Sequence, residues 1–343
     1  MRLSFTIVAA WACAALSVAC APPPGSLASG PLPAGAHLLP AHFENDRLYG
    51  TPVLPRGDTA VIFLDTGGGT LVWEPYVKWM GLTIDSIVGA RGAKIPVTEF
   101  PAFRNDRTLP SIAAKSVYGN HLVVRSADPT GFVAWIARST QAQFGATWFG
   151  DRIWTFDYPG NRLLLHDASP PSSVPPEHQV PVRFRTDSGG ARIDHSPQID
   201  VMVDGDTLAM IFDTGATIWL TAAARSQLHD GRPSERATSH VQSWWFARWK
   251  QRHPDWPVIE AADQLTRATL IRVPSVRIAG YDVGPVWFSV LGGPAEAPPG
   301  AGRFGGTIGG NVLREFSVML DYRRGIAEFT RPGSTQPLTA KTR

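Results

Sequence analysis

Short apolar runs separated by glycine and proline form the main hydrophobic pattern of this chain. Val61–Leu64 and Leu208–Phe212, for example, are wholly apolar and end at a polar residue. Runs of this length, rich in β-branched and aromatic residues and bounded by turn formers, are typical of β-strands. The 33 glycines and 30 prolines interrupt the chain too often for many long helices. The pattern therefore predicts an all-β fold.

The two apolar runs begin the copies of an internal repeat. Each leads into Asp-Thr-Gly, a turn of small residues and a second apolar run, so that residues 61–73 match residues 208–219. Residues 154–165 likewise match residues 318–329, and both segments predict a β-hairpin that turns after an Asp-Tyr pair. Repetition of landmarks in the same order predicts two structural units of one kind.

A third landmark lies between the other two. Stepping back twelve residues from each Asp-Tyr pair aligns Phe144-Gly145 with Ile308-Gly309. The offset between the copies is 148 residues at Asp-Thr-Gly and 164 at Asp-Tyr, so the second copy holds about sixteen extra residues. These include Trp244–Trp249, which could pack in a core, line a cleft or contact a membrane.

The repeat and the local composition divide the chain into six segments. They are a signal peptide at 1–20, a Pro/Gly/Ser-rich tether at 21–35, an N-terminal lobe at 36–166, a linker at 167–180, a C-terminal lobe at 181–332 and a tail at 333–343.

The first segment has the pattern of an export signal. Arg2 precedes Leu3–Val18, an almost wholly apolar stretch that is too short to span a membrane permanently. Ala19-Cys20-Ala21 fits ordinary signal cleavage, whereas Leu16–Cys20 resembles a bacterial lipoprotein box. The second interpretation implies a lipid on Cys20, a periplasmic location and anchoring to the outer membrane.

The cysteine count favours lipidation without deciding it. The chain has only two cysteines, Cys13 and Cys20, so the exported chain would keep Cys20 alone and its body can form no disulfide. A lipid on Cys20 would explain this unpaired cysteine.

Charge and motif spacing argue against several classes of function. Lys and Arg number 32 and Asp and Glu 29, with no run of like charge, so nucleic-acid binding is not expected. The nine histidines show no metal-binding spacing, and neither a metal nor another cofactor is expected. Residues 187–190 are similar to the nucleophile segment of serine proteases, but no histidine stands in a partner motif.

The paired Asp-Thr-Gly motifs and their downstream landmarks resemble those of the retropepsin-like and pepsin-like aspartic peptidases. The resemblance covers residues 40–166 and 180–330, and each lobe is most similar to the small bacterial retropepsin-type domain. It implies a bilobal acid-protease fold, in which two closed β-barrel lobes form a pseudo-dimer around a catalytic dyad of Asp65 and Asp213. The residues that it implies as supports of the active-site loops are Thr66, Gly67, Thr214, Gly215, Phe144, Gly145, Ile308 and Gly309.

Two adjacent carboxyl groups define the expected chemistry. They cannot both ionise cheaply, so they share one proton and titrate as a pair, a behaviour for which the dyad of aspartic proteases is the standard example. The ionised group activates a water as general base, and the protonated group polarises the scissile carbonyl. Asp157 and Asp321, which precede tyrosines in the predicted hairpins, are expected to cap turns instead.

Two departures from the family pattern bear on activity. Gln143 stands where an apolar residue is expected before Phe144-Gly145, which would brace the loop less firmly. Gly68 and Ala216 follow the two Asp-Thr-Gly motifs where the pepsin-like pattern has Ser or Thr, so no hydroxyl at these positions can stabilise a carboxylate. We therefore expect a weakly acidic pH optimum.

The sequence thus predicts an exported aspartic endopeptidase that hydrolyses extended peptide or protein segments. A flap over the cleft is expected between Asp65 and Phe144, around residues 95–103. The alternative is an inactive peptide-binding or scaffolding lipoprotein of the same fold. We expect a monomer with an internal pseudo-two-fold axis, although the linker would also permit a dyad formed between two chains.

Overall fold

The computed structural model describes residues 32–333 apart from 90–91, 127–130 and 173. The predicted signal peptide with Cys20, the tether as far as residue 31 and residues 334–343 of the tail lie outside the described residues. Within the described residues, no helix has the length and apolar character needed to cross a membrane.

Short strands make up most of the regular structure. In the N-terminal half they are β1 (Ala36–Leu38), β2 (Ala41–Glu44), β3 (Arg47–Gly50), β4 (Ile62–Leu64), β5 (Leu71–Trp73), β6 (Asp85–Val88), β7 (Lys94–Thr98), β8 (Leu122–Arg125), β9 (Ala142–Phe144), β10 (Ile153–Asp157) and β11 (Arg162–His166). In the C-terminal half they are β12 (Gln179–Pro181), β13 (Gln198–Val203), β14 (Asp206–Phe212), β15 (Thr217–Trp219), β16 (Glu235–Ala237), β17 (Ser239–Val241), β18 (Val258–Ile259), β19 (Leu270–Val273), β20 (Val276–Ile278), β21 (Tyr281–Val283), β22 (Val286–Val290), β23 (Phe304–Ile308), β24 (Ser317–Asp321) and β25 (Ile326–Thr330). The described helices are α1 (Glu74–Val77), α2 (Gly131–Ala137), α3 (Ala146–Phe149), α4 (Ala222–Leu228), α5 (Ser243–Arg252) and α6 (Gly310–Leu313).

A six-stranded sheet joins the two halves of the chain. Its order is β1-β11-β10-β24-β25-β12, so each half contributes three neighbouring strands. The central strands β10 and β24 are antiparallel and place Thr155 opposite Met319. These residues are equivalent in the repeat, because they are separated by the same 164 residues as the two Asp-Tyr pairs. The pseudo-two-fold axis therefore passes between them.

Each half also forms a larger sheet of its own. This bilobal, mostly β arrangement confirms the predicted fold class. The N-terminal sheet has eight strands in the order β2-β3-β4-β9-β5-β8-β7-β6. The C-terminal sheet has nine in the order β18-β19-β22-β17-β23-β14-β13-β20-β21. Both are open in the pairing of the described residues, and no closed barrel of the expected kind is found among them.

In both sheets, the strand that precedes Asp-Thr-Gly lies parallel to a later strand of the same half. β4 pairs with β9 in the N-terminal half, and β14 pairs with β23 in the C-terminal half. Side chains alternate between the two faces of a strand. Ile62 and Leu64 therefore enter the main core, whereas Phe63 faces a second cluster that includes Trp219 of the other half.

The tryptophan-rich insertion folds as helix α5, which contributes to the core. Trp245 and Trp249 are buried, and the Trp249 ring lies 5.8 Å from the ring of Phe288. Phe246, on the same helix, lines a cavity in the C-terminal half. The segment therefore packs in the core, as one of the three expectations states, and Phe246 both packs against the core and lines the cavity.

The segments predicted as a flap and as a linker both contribute residues to strands. The segment expected to form a flap is divided: residues 94–98 are strand β7 of a hairpin with β6, but Phe100 and Phe103 pack against the main core. The predicted linker ends in a 3-10 turn at Pro176–His178, which leads into β12, and β12 is hydrogen-bonded to β25. Local apolar character alone does not distinguish a covering loop from a core contact.

Candidate active site

The structure brings Asp65 and Asp213 together at the junction of the two halves. Each aspartate directly follows a buried strand, β4 or β14, and their side chains are within hydrogen-bonding reach of each other. Their exposed fractions are 6% and 8%. A carboxyl group can donate a hydrogen bond to another only when it is protonated, so this arrangement suits a pair that shares one proton.

Glycine is required after each threonine because the carboxyl group of the opposite half packs there. A Cβ atom on Gly67 would lie 2.7 Å from the carboxyl carbon of Asp213. A Cβ atom on Gly215 would collide with the carboxyl group of Asp65. The third residue of each Asp-Thr-Gly motif thus makes room for the aspartate of the other motif, so the two loops fit only as a pair.

Thr66 and Thr214 link the two loops by a reciprocal set of hydrogen bonds. The backbone N–H of each threonine donates to the hydroxyl oxygen of the other, both at 3.1 Å. The Thr66 hydroxyl donates to the carbonyl of Phe212 at 2.6 Å, and the Thr214 hydroxyl donates to that of Leu64 at 2.8 Å. All four bonds cross between the halves, so they fix the relative position of the strands that carry the aspartates.

Backbone donors hold the inner oxygen of each aspartate. The N–H of Gly67 donates to Asp65 Oδ1, and the N–H of Gly215 donates to Asp213 Oδ1, both at 2.9 Å. Turns of this kind orient a carboxylate through its own backbone two residues later. Because the two distances are equal, the backbone holds Oδ1 of Asp65 and Oδ1 of Asp213 in the same way.

Burial dominates the electrostatics of the pair. It raises the pKa of Asp65 well above the ordinary value, and the nearby Asp213 carboxyl group raises it further, against the lowering effect of the Gly67 and Gly68 amides. Burial also raises the pKa of Asp213, while hydrogen bonds and a nearby histidine, His240, oppose this shift. Both directions favour retention of a proton above the pH at which an exposed aspartate loses it.

The predicted bracing segments lie directly behind the aspartates. The carbonyls of Phe144 and Ile308 accept the backbone N–H groups of Asp65 at 3.0 Å and Asp213 at 2.9 Å. Gly145 and Gly309 follow, and their N–H groups donate to the hydroxyls of Thr70 at 3.1 Å and Ser239 at 3.0 Å. A Cβ atom on either glycine would collide with a backbone carbonyl, that of Gly68 or of Thr238.

Gln143 makes a contact that its place in the sequence does not predict. Its side chain is 6% exposed, and its Nε2 donates to Asp65 Oδ2 and to the carbonyl of Gly69, both at 3.2 Å. The residue interpreted as a weakened brace therefore supplies a donor to the outer oxygen of one aspartate. The absence of a hydroxyl at position 68 does not leave Asp65 without a side-chain donor.

Cross-strand register explains where Gln143 lies. The parallel pairing of β4 with β9 places Gln143 opposite Phe63, two residues before Asp65. The equivalent pairing of β14 with β23 places Thr307 opposite Ile211, two residues before Asp213. The register is the same in both halves, so Gln143 and Thr307 occupy equivalent positions. The halves differ in which residue stands at that position. The Thr307 hydroxyl is buried and has no hydrogen-bond partner among the described residues, so Thr307 does not supply Asp213 with the donor that Gln143 supplies to Asp65.

A cavity of about 630 Å³ lies in the C-terminal half beside Asp213. His240 connects the two, since it lines the cavity and interacts electrostatically with Asp213. On neighbouring strands it pairs with Thr307 on one side and Ser289 on the other. The cavity walls include the aromatic rings of Trp219 and Phe246. The cavity lining thus combines aromatic rings with side chains that can form hydrogen bonds.

In the N-terminal half, the cross-strand neighbours that correspond to His240 and Ser289 are apolar. Leu71 occupies the place of His240, because it pairs with Gln143 as His240 pairs with Thr307. Val123 then occupies the place of Ser289. The two sides of the dyad therefore present different chemistry to a ligand, although the loops that hold the aspartates are nearly symmetric.

The remaining sequence candidates lie apart from this pair. Asp157 accepts hydrogen bonds from the Gly160 N–H and from Arg162, and Asp321 accepts the N–H groups of Arg323 and Arg324, which agrees with turn capping. No group of three or more metal-ligating side chains is found in the part of the chain that the structure describes.

Comparison with solved structures finds an aspartic proteinase from Irpex lacteus. The match has a TM-score of 0.44 and 15% sequence identity, and it covers 86% of this chain and 97% of that protein. No family model and no curated protein matches the sequence. The chemistry of the site is therefore inferred from its own geometry.

Proposed function

We propose that the protein is an aspartic endopeptidase whose catalytic dyad is Asp65 and Asp213. The observation that carries the proposal is the pairing of two buried carboxyl groups across the two halves, held by reciprocal threonine and glycine contacts. Buried carboxyl groups are rarely left this close together without a chemical task, since their mutual repulsion and desolvation destabilise the fold.

In the proposed reaction the dyad carries one proton at the working pH. The ionised carboxyl group takes a proton from a water held between the pair, and that water attacks the carbonyl carbon of the peptide bond. The protonated carboxyl group donates a hydrogen bond to the carbonyl oxygen, and the proton taken from the water then passes to the departing amine, so that the pair again holds one proton. The raised pKa of both groups supports a weakly acidic optimum.

An extended peptide is the substrate that fits a site placed between two β-rich halves. Strand edges can pair with the main chain of a substrate, while side-chain cavities select residues on either side of the cleaved bond. The cavity beside His240 and the apolar residues Leu71 and Val123 favour different substrate side chains on the two sides of the dyad.

The test is cleavage of a mixed peptide library between pH 3 and pH 8 by the chain without residues 1–20. We expect wild type to cut, and both Asp65→Asn and Asp213→Asn to lose activity by at least about a thousandfold, because neither half can supply the missing carboxyl group. Asp167→Asn is the matched control, since the Asp167 side chain is 69% exposed in the linker. A folded but inert wild type would favour the peptide-binding alternative.

Activity at the mass of one chain would support the internal pseudo-dimer. We propose a monomer, since one chain contains both aspartates and the cross-half bonds between Thr66 and Thr214. Light scattering during turnover distinguishes this from a dyad shared by two chains. If activity coincided only with a dimer and fell on dilution, the monomer proposal would be wrong.

We also retain the proposal of export and lipid anchoring at Cys20. The first described strand begins at Ala36, and a proline-rich segment separates it from Cys20 in the sequence. Such a segment suits a tether between a lipid and a folded body. Mass spectrometry of the N-terminal peptide of the exported protein would detect a lipid on Cys20. An unmodified N-terminus after residue 21 would instead show ordinary signal cleavage.

A further inference from the structure

We propose that Gln143 is a positioning residue of the dyad, which orients Asp65 and stabilises its charged form in place of the missing hydroxyl at position 68. This inference rests on the proposed peptidase function for its kinetic consequences, but its structural part concerns Asp65 alone. The geometry that carries it is the bond from Gln143 Nε2 to Asp65 Oδ2 at 3.2 Å.

The orientation of the Gln143 amide follows from its two partners. Both Asp65 Oδ2 and the Gly69 carbonyl lie 3.2 Å from Nε2, and a backbone carbonyl cannot donate whatever the protonation state of Asp65. The amide oxygen in that place would be repelled by the Gly69 carbonyl. The NH₂ group must therefore point at Asp65, where it also ties the carboxylate to the turn that follows it.

Gly68 and Gln143 form a matched pair. A Cβ atom on Gly68 would collide with both Gln143 Nε2 and Asp65 Oδ2. A serine or threonine at position 68 therefore has no room in this arrangement. The side-chain donor lies on the neighbouring strand β9 instead of on the loop after the motif, and the amide fills the space left by the absent side chain.

The C-terminal half has no equivalent of this contact among the described residues. Ala216 follows the second motif, and Thr307 occupies the place of Gln143 with a hydroxyl that has no partner in the described part of the chain. A hydrogen bond to the charged form of a carboxyl group stabilises that form. Gln143 therefore makes the surroundings of the two aspartates unequal, and its amide opposes the effects of burial and of Asp213, which raise the pKa of Asp65.

The other ionisable groups near the pair interact mainly with Asp213. Asp213 itself faces Asp65 across the junction. His240 and Tyr158 interact with Asp213, and Asp263 interacts with His240. A substitution at Gln143 changes none of these groups, so a shift in the titration of Asp65 can be attributed to the amide.

The test compares Gln143→Met with Gln143→Glu in the chain without residues 1–20. Methionine keeps the length of the side chain but cannot donate, so we expect the pH profile of kcat/KM to move about one unit to higher pH and kcat to fall about tenfold. Glutamate can donate only while protonated, so we expect activity to be confined to the acid side of the wild-type profile. A shift to higher pH in Gln143→Met, which adds no charge, is not expected from a residue that only fills space.

Gln141→Met is the matched control. Gln141 also makes a hydrogen bond on the same segment, because its Oε1 accepts the backbone N–H of Val61 at 2.6 Å, but that bond does not involve Asp65. We expect this variant to lose stability without any shift of the pH profile. If Gln143→Met behaves in the same way as Gln141→Met, the inference is overturned.

A second readout separates this inference from the peptidase proposal. The ionisation of Asp65 can be followed without substrate by ¹³C carboxyl NMR of aspartate-labelled protein, with Asp65→Asn to assign the signal. We expect Gln143→Met to raise the midpoint by about one pH unit. An inert wild type with this shift would leave the positioning role standing while the peptidase proposal fails. An unshifted midpoint in both Gln143 variants would overturn the positioning role even if peptides are cut.

Discussion

Thr66 and Thr214 are each buried, and each accepts the backbone N–H of the other through its hydroxyl oxygen at 3.1 Å. The same hydroxyls donate to the carbonyls of Phe212 and Leu64, so each threonine joins the strand before the opposite aspartate. The groups that bond to each threonine in this way all lie in the other half of the chain. The relationship makes the geometry of the dyad depend on the association of the two halves.

Replacement of either threonine by valine tests this link. Valine keeps the shape but leaves one buried N–H and one buried carbonyl without a partner, so we expect Thr66→Val to lower the free energy of unfolding by about 2–5 kcal/mol. Chemical denaturation measures the loss. Thr98→Val is the control, because the buried Thr98 hydroxyl has no partner among the described residues, and its removal should change stability little. Equal losses in the two variants would contradict the role of the cross-half bonds.

The dyad should destabilise the protein at neutral pH. The pKa of Asp65 is higher in the folded state than the ordinary value of 3.8, so its contribution to stability is fully present below that value and is lost as the pH rises through the folded-state pKa. Asp65→Asn lacks this titration. We therefore expect the variant to gain stability relative to wild type as the pH rises from 3 to 7.

Thermal or chemical unfolding across that pH range measures the gain. The exposed Asp167→Asn is the control for the removal of one carboxyl group. If the Asp65→Asn curve is parallel to that of wild type, the burial and pairing of the two carboxyl groups do not raise the pKa in the folded protein.

Gly145 should not tolerate alanine. The added Cβ would collide with the Gly68 carbonyl, so the loop that carries Asp65 must shift. We expect Gly145→Ala to cost about 1–3 kcal/mol of stability and most of the activity. Gly189→Ala is the control, because its Cβ would come no closer than 3.4 Å to Asp187 Oδ1 on an exposed loop. Denaturation and peptide cleavage of both variants are the measurements, and full activity in Gly145→Ala would contradict the bracing role.

His240 should influence which side chain is accepted on the Asp213 side of the cleaved bond. His240 and Ser289 are polar residues of the cavity lining, which also includes Trp219 and Phe246. We expect wild type to favour a hydrogen-bonding side chain such as tyrosine over phenylalanine at one substrate position, and His240→Leu to reverse this preference by about tenfold in kcat/KM. Paired peptides that differ only in this residue give the measurement.

The control for the His240 prediction is His121→Leu, since the His121 ring bonds to the carbonyl of Tyr118 in its own turn and does not line the cavity. This variant should keep the wild-type preference. A preference that is unchanged in His240→Leu as well would show that the cavity does not receive the substrate side chain.

The sequence alone determined the class of fold and the order of its landmarks. Glycine and proline set the lengths of the strands, and the duplicated Asp-Thr-Gly and Asp-Tyr segments predicted two similar halves. These are local signals, because strand length and turn chemistry depend on neighbouring residues. The hairpins β10–β11 and β24–β25 lie within one or two residues of the predicted segments for the same reason.

Only the tertiary structure decided what lies beside each aspartate. Gln143 is 78 residues from Asp65 and Gly215 is 150 residues from it, and no local rule states that either touches its carboxyl group. Those contacts follow from the parallel register of β4 with β9 and from the packing of one half against the other. Register and packing depend on the whole core, so a residue that departs from a family pattern, such as Gln143, gains its meaning only when its neighbours across the sheet are known.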